Sequence, residues 1–169
     1  MGTLAGWAYC PRCRTDLARE PGRVVCPSCG LVEYASSEPT ACALVVDGDR
    51  LLLVRRAGEP FRGYWDLPGG FLEEGEHPLE ALRRELLEET GLEVEPVTMV
   101  GIWMDRYGGG AEAPATLNLY WTARVLGGEL QPADDVSDAR WFPVDELPPP
   151  AELAFHVADV VAAWRRAAQ

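Results

Sequence analysis

The stretch at residues 70–92, "GFLEEGEHPLEALRRELLEETGL", decides how this chain is read. Pro78 suits the first position of a helix, because its missing N–H would have no partner there. Glu80 falls in the first turn, where the helix dipole favours negative charge, and Gly91 suits a left-handed C-terminal cap. Leu79, Leu82 and Leu86 recur at i, i+3 and i+7, the spacing of a buried stripe. Glu85, Glu88 and Glu89 recur at i, i+3 and i+4 on the neighbouring side. Like charges so placed repel, and at this end of the helix the dipole adds to the cost. A solvated acidic face would account for the composition. It would not account for the "LPGGF" loop ahead of it, nor for Arg83 and Arg84 embedded within it. A divalent cation relieves the repulsion. Magnesium takes oxygen ligands, keeps several waters and joins one or two carboxylates to a substrate phosphate. Two such ions can clamp a pyrophosphate and lower the pKa of a bound water. A turn at Gly69-Gly70 would bring a backbone carbonyl close, as residues without Cβ easily can.

Working outward, "ACALVV" (41–46), the turn "DGDR" and "LLLVRR" (51–56) predict two strands joined tightly at Asp47-Gly48. "GEPFRGYW" is a loop. After the helix, "VEPVTMVGIWMDRY" and "ATLNLYWTARVL" predict two more strands around a mobile tip, "GGGAEAP", and "ARWFPV" a short late one. "PPP" (148–150) precedes a final amphipathic helix over roughly 151–166. Mixed strands with flanking helices indicate an α/β or α+β domain.

Upstream lie two C-x2-C pairs, Cys10/Cys13 and Cys26/Cys29, twelve residues apart. Two such turns facing each other offer four sulfurs in a tetrahedron, which suits zinc; iron takes the same ligands. Two disulfides would need an oxidising compartment, and "MGTLAGWAYC" lacks the basic start and apolar run of a secretory signal. With four ligands in use no open position remains for catalysis, so this segment is structural or a recognition surface. It has too little apolar surface to fold alone and needs the metal. Gly30 eases the second knuckle by tolerating positive φ. Cys42 sits in an apolar run and reads as a small core residue. The expected division is a zinc ribbon over 1–34, a linker over 35–40 ("ASSEPT") and a catalytic domain over 41–169.

The chain of 169 residues is long enough for one well-cored domain plus that appendage. Its net charge of -12 argues against a general affinity for nucleic-acid phosphates. All 15 basic residues are Arg, which removes any lysine nucleophile. No apolar stretch reaches the length of a membrane span. A cytoplasmic protein with no membrane partner is expected, and a homodimer is compatible with the sequence.

Gly70, Glu76, Arg84, Glu85, Leu86, Glu88, Glu89, Gly91 and Leu92 fall at every fixed position of G-x5-E-x7-R-E-U-x-E-E-x-G-U, where U is aliphatic. This pattern resembles the Nudix box, and "YWDLPGGF" before it and "DARWFPVDELP" after it are similar to what many Nudix hydrolases carry. The resemblance covers residues from about 40 to the C-terminus. It implies an α/β/α sandwich around a mixed sheet, with magnesium or manganese at the catalytic site and zinc in the preceding ribbon. It implies Glu85 and Glu89 as the principal ligands, Glu88 as a further ligand or as base for the attacking water, and Gly70 as a carbonyl donor. Arg84 would orient Glu85, and Glu76 would pair with Arg84.

The implied reaction is hydrolysis of the pyrophosphate linkage of a nucleoside diphosphate-linked small molecule such as ADP-ribose or FAD. The NADH-cleaving branch also has a zinc ribbon but carries a "SQPWPFPxS" run after the box, and "VEPVTMVGIWMDRYGGG" stands there instead. The ribbon, "YASSEPT" and core together resemble bacterial ADP-ribose/FAD pyrophosphatase-like proteins. Phe61, Trp103 and Tyr107 are candidates for stacking on a base, against the plainer reading as core or loop aromatics. Asp135 is preferred over Asp134 and Asp138 as an extra acid near the metals, against a solvated loop. Arg55, Arg56 and Arg62 could meet phosphate, with surface charge as the default. His77 fits the helix entrance, and His156 is too isolated for a catalytic role. Two other readings remain: a housecleaning nucleoside triphosphate pyrophosphohydrolase, and a non-catalytic Nudix-like sensor.

Overall fold

The computed structural model describes residues 4–108, 110 and 113–167. The chain forms two compact units, Met1–Glu38 with Asp105–Thr116, and Pro39–Met104 with Leu117–Gln169.

The first unit carries a three-stranded antiparallel sheet of β1 (Ala18–Glu20), β2 (Arg23–Val25) and β3 (Val32–Tyr34), in that order. Pro21 and Gly22 join β1 to β2, and Gly22 takes the φ of 73° that tight hairpin turns require. Its buried apolar residues are few: Leu4, Val24 and Leu31 beside Cys10 and Cys26. A core this small cannot offset the entropy of ordering its own loops. The glycine-rich tip at 108–114 was expected to be mobile; of it, Gly109, Ala111 and Glu112 lie outside the described residues.

The second unit is an α/β fold on a mixed seven-stranded sheet. Its sheet is built from β4 (Glu38–Asp47), β5 (Arg50–Arg56), β6 (Trp65–Asp66), β7 (Gly69–Phe71), β8 (Leu92–Arg106), β9 (Ala115–Gly128) and β10 (Val136–Pro143), of which Glu38 of β4, the last two residues of β8 and the first two of β9 fall in the first unit. The order is β10-β5-β4-β9-β8, with β6 on β5 and β7 on β4. Helix α1 (Pro78–Thr90) covers one face and α2 (Val157–Ala167) the other. The period of two along the strands divides the core. Ala41, Ala43, Val45 and Leu52 pack with Ala81, Leu82 and Leu86 of α1. Cys42, Leu44, Leu51 and Leu53 pack with Val157, Val160 and Val161 of α2. Strands covered on both faces must be apolar at every position, which is why 41–46 and 51–54 read as unbroken hydrophobic runs. Leu82 and Leu86 are fully buried, each contributing on the order of 2 kcal/mol.

Three elements differ from expectation. β4 starts at Glu38, so residues 38–40, expected as linker, are strand, and Thr40 pairs with Phe71. Gly69 and Gly70 do not form a turn: they belong to β7, where Cys42 pairs with Gly69 and Ala41 with Gly70. The last helix starts at Val157 rather than near 151. Residues Pro150–Glu152 make a 3-10 turn, Leu153 bridges to Trp65, and the Ala154 N–H donates to the Trp65 carbonyl at 2.8 Å. Backbone groups committed to Trp65 cannot enter a helix, and Phe155, at φ 45°, turns the chain before α2 begins.

Candidate active site

Helix α1 is set by its ends. The His77 Nδ1 accepts the Leu79 N–H at 3.2 Å, Pro78 opens the first turn, and Gly91 closes the helix at φ 70° with its N–H on the Leu87 carbonyl. With Ala81, Leu82 and Leu86 turned into the core, the neighbouring stripe carries the acids at three depths. Glu89 is 6% exposed, Glu85 is half-buried and Glu88 is exposed.

Each acid has a defined partner. Glu89 Oε2 accepts the Gly69 N–H at 2.9 Å. Arg84 Nη1 donates to Glu85 Oε1 at 2.8 Å and to Glu88 Oε2 at 3.1 Å. Arg84 Nε and Nη2 each reach Glu76 at 2.9 Å, and Nη2 also donates to the Phe71 carbonyl at 3.1 Å. The bidentate bond to Arg84, helped by the Glu73 N–H, holds Glu76 down at about 2. Burial raises Glu89 well above the usual carboxylate range against the opposing Gly69 bond, and Asp135, Glu85 and Asp66 raise it further. Burial also raises Glu85, against Arg84. Gly70 lies against Glu85: a Cβ there would sit 2.5 Å from the Glu85 carboxyl carbon and 2.6 and 2.7 Å from its oxygens. Only a glycine lets the backbone approach that carboxylate.

The box acids do not converge on a common point. Among the described residues, only Cys10, Cys13, Cys26 and Cys29 bring metal-ligating atoms of three or more side chains within 4.8 Å of one another. Glu85 and Glu88 share Arg84, while Glu89 turns to Gly69. The donors still suit a hard divalent cation: all are oxygens, they repel one another at graded depth, and a backbone cradle that a Cβ would fill faces Glu85.

The cysteine cluster answers a different chemistry. Cys10 Sγ lies 3.6 Å from Cys29 Sγ, and Cys13 Sγ lies 3.4 Å from Cys26 Sγ. Four sulfurs around one tetrahedral zinc would stand about 3.8 Å apart, given a Zn–S bond of roughly 2.3 Å. The knuckles match in backbone. Arg14 N–H donates to the Cys10 carbonyl at 2.8 Å and Gly30 N–H to the Cys26 carbonyl at 3.1 Å. Both of those residues have positive φ, 61° and 74°.

The NUDIX domain family matches residues 36–164. The chain belongs to the NUDIX family. It is 35% identical over 95% of its length to an NAD-capped RNA hydrolase NudC of Pseudomonas aeruginosa, of which it spans 57%. It is also 35% identical to an ADP-ribose pyrophosphatase of Methanocaldococcus jannaschii, over 73% of each chain. A NUDIX hydrolase from Nitrosomonas europaea shares the fold at a TM-score of 0.78 and 24% identity, over 95% of this chain and 92% of that one.

Around the Nudix box, the remaining expected residues part company. Asp135 lines a small pocket with Glu89, Gly69, Arg56 and Asp66. Asp138 pairs with Arg140 at 2.5 Å, and Asp134 takes φ 53° in the loop before β10. Trp103 stacks on His156, with centroids 6.1 Å apart and planes at 9°, and meets Tyr120 edge-on. His156 Nε2 lies 2.9 Å from the Tyr120 hydroxyl, so it is not isolated. Phe61 packs edge-on against Tyr64 and Phe155 at 5.6 and 4.8 Å. Tyr107 belongs to the first compact unit. Arg55 donates to the Gly63 carbonyl at 2.7 Å, and Arg62 is exposed, 4.0 Å from Glu59. Cys42 is buried, which pushes its thiol up. Sequence reasoning missed Asp66. It is buried, pushed up to about 6 by that burial, and paired with Arg56 at 3.1 Å. Its only sequence signal is an acid between an aromatic and "LPGG".

Proposed function

We propose that this Nudix protein hydrolyses the pyrophosphate linkage of a nucleoside diphosphate-linked small molecule of the ADP-ribose or FAD kind. Glu85, Glu89 and the Gly70 carbonyl would hold magnesium or manganese, and Glu88 would serve as the base rather than as a further ligand. Those cations, once bound, neutralise the diphosphate and make water acidic enough to attack. The carrying observation is the Gly70–Glu85–Arg84–Glu76 assembly, which spends a bidentate guanidinium on keeping one half-buried carboxylate against a bare backbone. Arg84 and Glu76 orient Glu85, and the Gly69 N–H orients Glu89. Glu88, on the exposed side, accepts the proton of the attacking water. The water oxygen bonds to phosphorus, the bridging P–O bond breaks, and two phosphate monoesters leave.

The ADP-ribose pyrophosphatase that shares 35% identity supports this substrate class. A second reading is cleavage of NAD-type substrates, favoured by a likeness to NAD-capped RNA hydrolases that extends over 95% of the chain and so takes in the ribbon. Against it stands the missing "SQPWPFPxS" run, and the net charge of -12 weighs against the RNA body of a capped RNA. The four cysteines would bind a structural zinc, giving a ribbon over 1–34, and the expected linker over 35–40 would give way at Glu38 to β4, the first strand of the Nudix hydrolase domain, in a cytoplasm that keeps the thiols reduced. Among the described residues no helix is long and apolar enough to cross a membrane.

A panel of ADP-ribose, FAD, NADH, NAD-capped RNA, diadenosine polyphosphates and oxidised dGTP, with either metal and product identification, tests the assignment. AMP release from ADP-ribose or FAD, at rates at least tenfold above the others, is expected. Inorganic pyrophosphate from the triphosphate as the main product would install the housecleaning reading. Salt-dependent DNA binding without turnover would install the sensor.

A further inference from the structure

The pocket beside Glu89 holds an ion pair that belongs to no part of the box. Arg56 Nη1 meets Asp66 Oδ2 at 3.1 Å, and the two side chains are only 15% and 10% exposed. Asp66 Oδ1 also accepts the Leu67 N–H at 2.9 Å. Arg56 is itself pinned: its Nε donates to the Pro60 carbonyl at 2.7 Å, and its guanidinium lies 5.1 Å over the Phe155 ring. Its backbone exchanges bonds with Tyr64 and Gly63 across the loop before β6. Downstream of Asp66, the Pro68 carbonyl accepts the Ala43 N–H at 2.9 Å, and the Gly69 N–H reaches Glu89. At Gly69 there is no slack, since a Cβ would fall 2.3 Å from the Ala41 carbonyl oxygen.

Burying two charges is costly, and a well-packed apolar pair of the same volume usually stabilises a fold at least as well. Stability alone would not favour an acid here, because Asp66 shares its pocket with Glu89 and Asp135. What the pair supplies is a fixed starting point, anchored to β5, for the three residues that deliver the Gly69 N–H. We propose that Arg56 and Asp66 are a positioning pair for the hydrolysis: they hold residues 67–69 so that the Gly69 amide orients the Glu89 carboxylate. This rests on the hydrolase reading given above.

The test compares Asp66→Asn, Arg56→Met and the double variant in the full chain, with two readouts. On ADP-ribose with manganese, each single variant lowers kcat about 10- to 100-fold, the scale of an ångström-sized misplacement, with KM within about twofold. The double variant is no slower than the slower single, because both remove one device. By NMR, the Gly69 amide exchanges about tenfold faster or more in Asp66→Asn, while the Leu86 amide in α1 keeps its wild-type rate. Arg56→Lys keeps the charge but cannot hold Asp66 and the Pro60 carbonyl from separate nitrogens, and it carries the same measurements if Asp66→Asn does not fold. Wild-type kcat and Gly69 protection in Asp66→Asn overturn the proposal. So do multiplying single-variant effects, or an equal acceleration of Gly69 and Leu86, which marks a merely structural pair. If the unaltered protein turns over no diphosphate, the hydrolase reading fails, and amide exchange alone decides whether the pair positions Gly69.

Discussion

Two adjacent glycines separate activity from stability. At Gly70 an added Cβ would sit 2.5 Å from the Glu85 carboxyl carbon. Carbon contacts settle near 3.5–4.0 Å, so in Gly70→Ala the carboxylate must move by about 1 Å. The obstacle is the far end of a flexible side chain, so the fold loses little and Tm should stay within about 2 °C. Turnover does not escape, because Glu85 is the acid that Arg84 and Gly70 together fix. A misplacement of that size costs roughly 100-fold in kcat, about 2.7 kcal/mol of barrier. At Gly69 the same added carbon would meet backbone, 2.3 Å from the Ala41 oxygen and 2.5 Å from the Cys42 Cα, at φ 137°. Backbone cannot swing aside, and that conformation alone costs an alanine about 1–3 kcal/mol. Gly69→Ala should lower Tm by several degrees. The assay is AMP release from ADP-ribose at saturating manganese, paired with calorimetry. Wild-type turnover in Gly70→Ala, or a Tm loss there equal to that of Gly69→Ala, would refute the claim that Gly70 is bare for the sake of Glu85.

Glu89→Gln and Glu88→Gln should each lose at least about two orders of magnitude in kcat, comparable to deleting a principal electrostatic group; near-normal turnover in steady-state assays rejects their roles. Burial raises Glu89, so it holds its proton to higher pH than a solvated acid, whereas a cation needs it ionised. Manganese binding should therefore release protons and weaken as pH falls through that raised range. Calorimetry in two buffers of different ionisation enthalpy reads this directly, and a buffer-independent heat denies it. Glu76 is held at about 2 by Arg84, below its ordinary 4.5. Its contribution to stability is present above about 4.5 and lost as pH falls toward 2, so Glu76→Gln should flatten the acid limb of the stability curve. Zinc removal should abolish folding of the ribbon while the catalytic unit stays folded; unchanged ribbon spectra with no stoichiometric metal reject the zinc assignment.

The sequence by itself determined what lies within one helix or one tight turn. The caps of α1, its leucine stripe and the acids beside it follow from 3.6 residues per turn. The cysteine knuckles follow from two-residue spacers, since ligands so close in the chain must be close in space. β4 and β5 were legible for a related reason, as strands covered on both faces leave no polar position to blur the run. Tertiary structure decided whatever depends on register between distant segments. Arg56 and Asp66 meet because β6 pairs with β5. Trp103 stacks on His156 because one stands on β8 and the other just before α2. Gly69 and Gly70 became strand rather than turn because β4 offered them partners. Burial turned an ordinary-looking aspartate into a paired charge beside Glu89. No local periodicity encodes such pairings, since a side chain's depth is set by what packs over it from elsewhere in the chain.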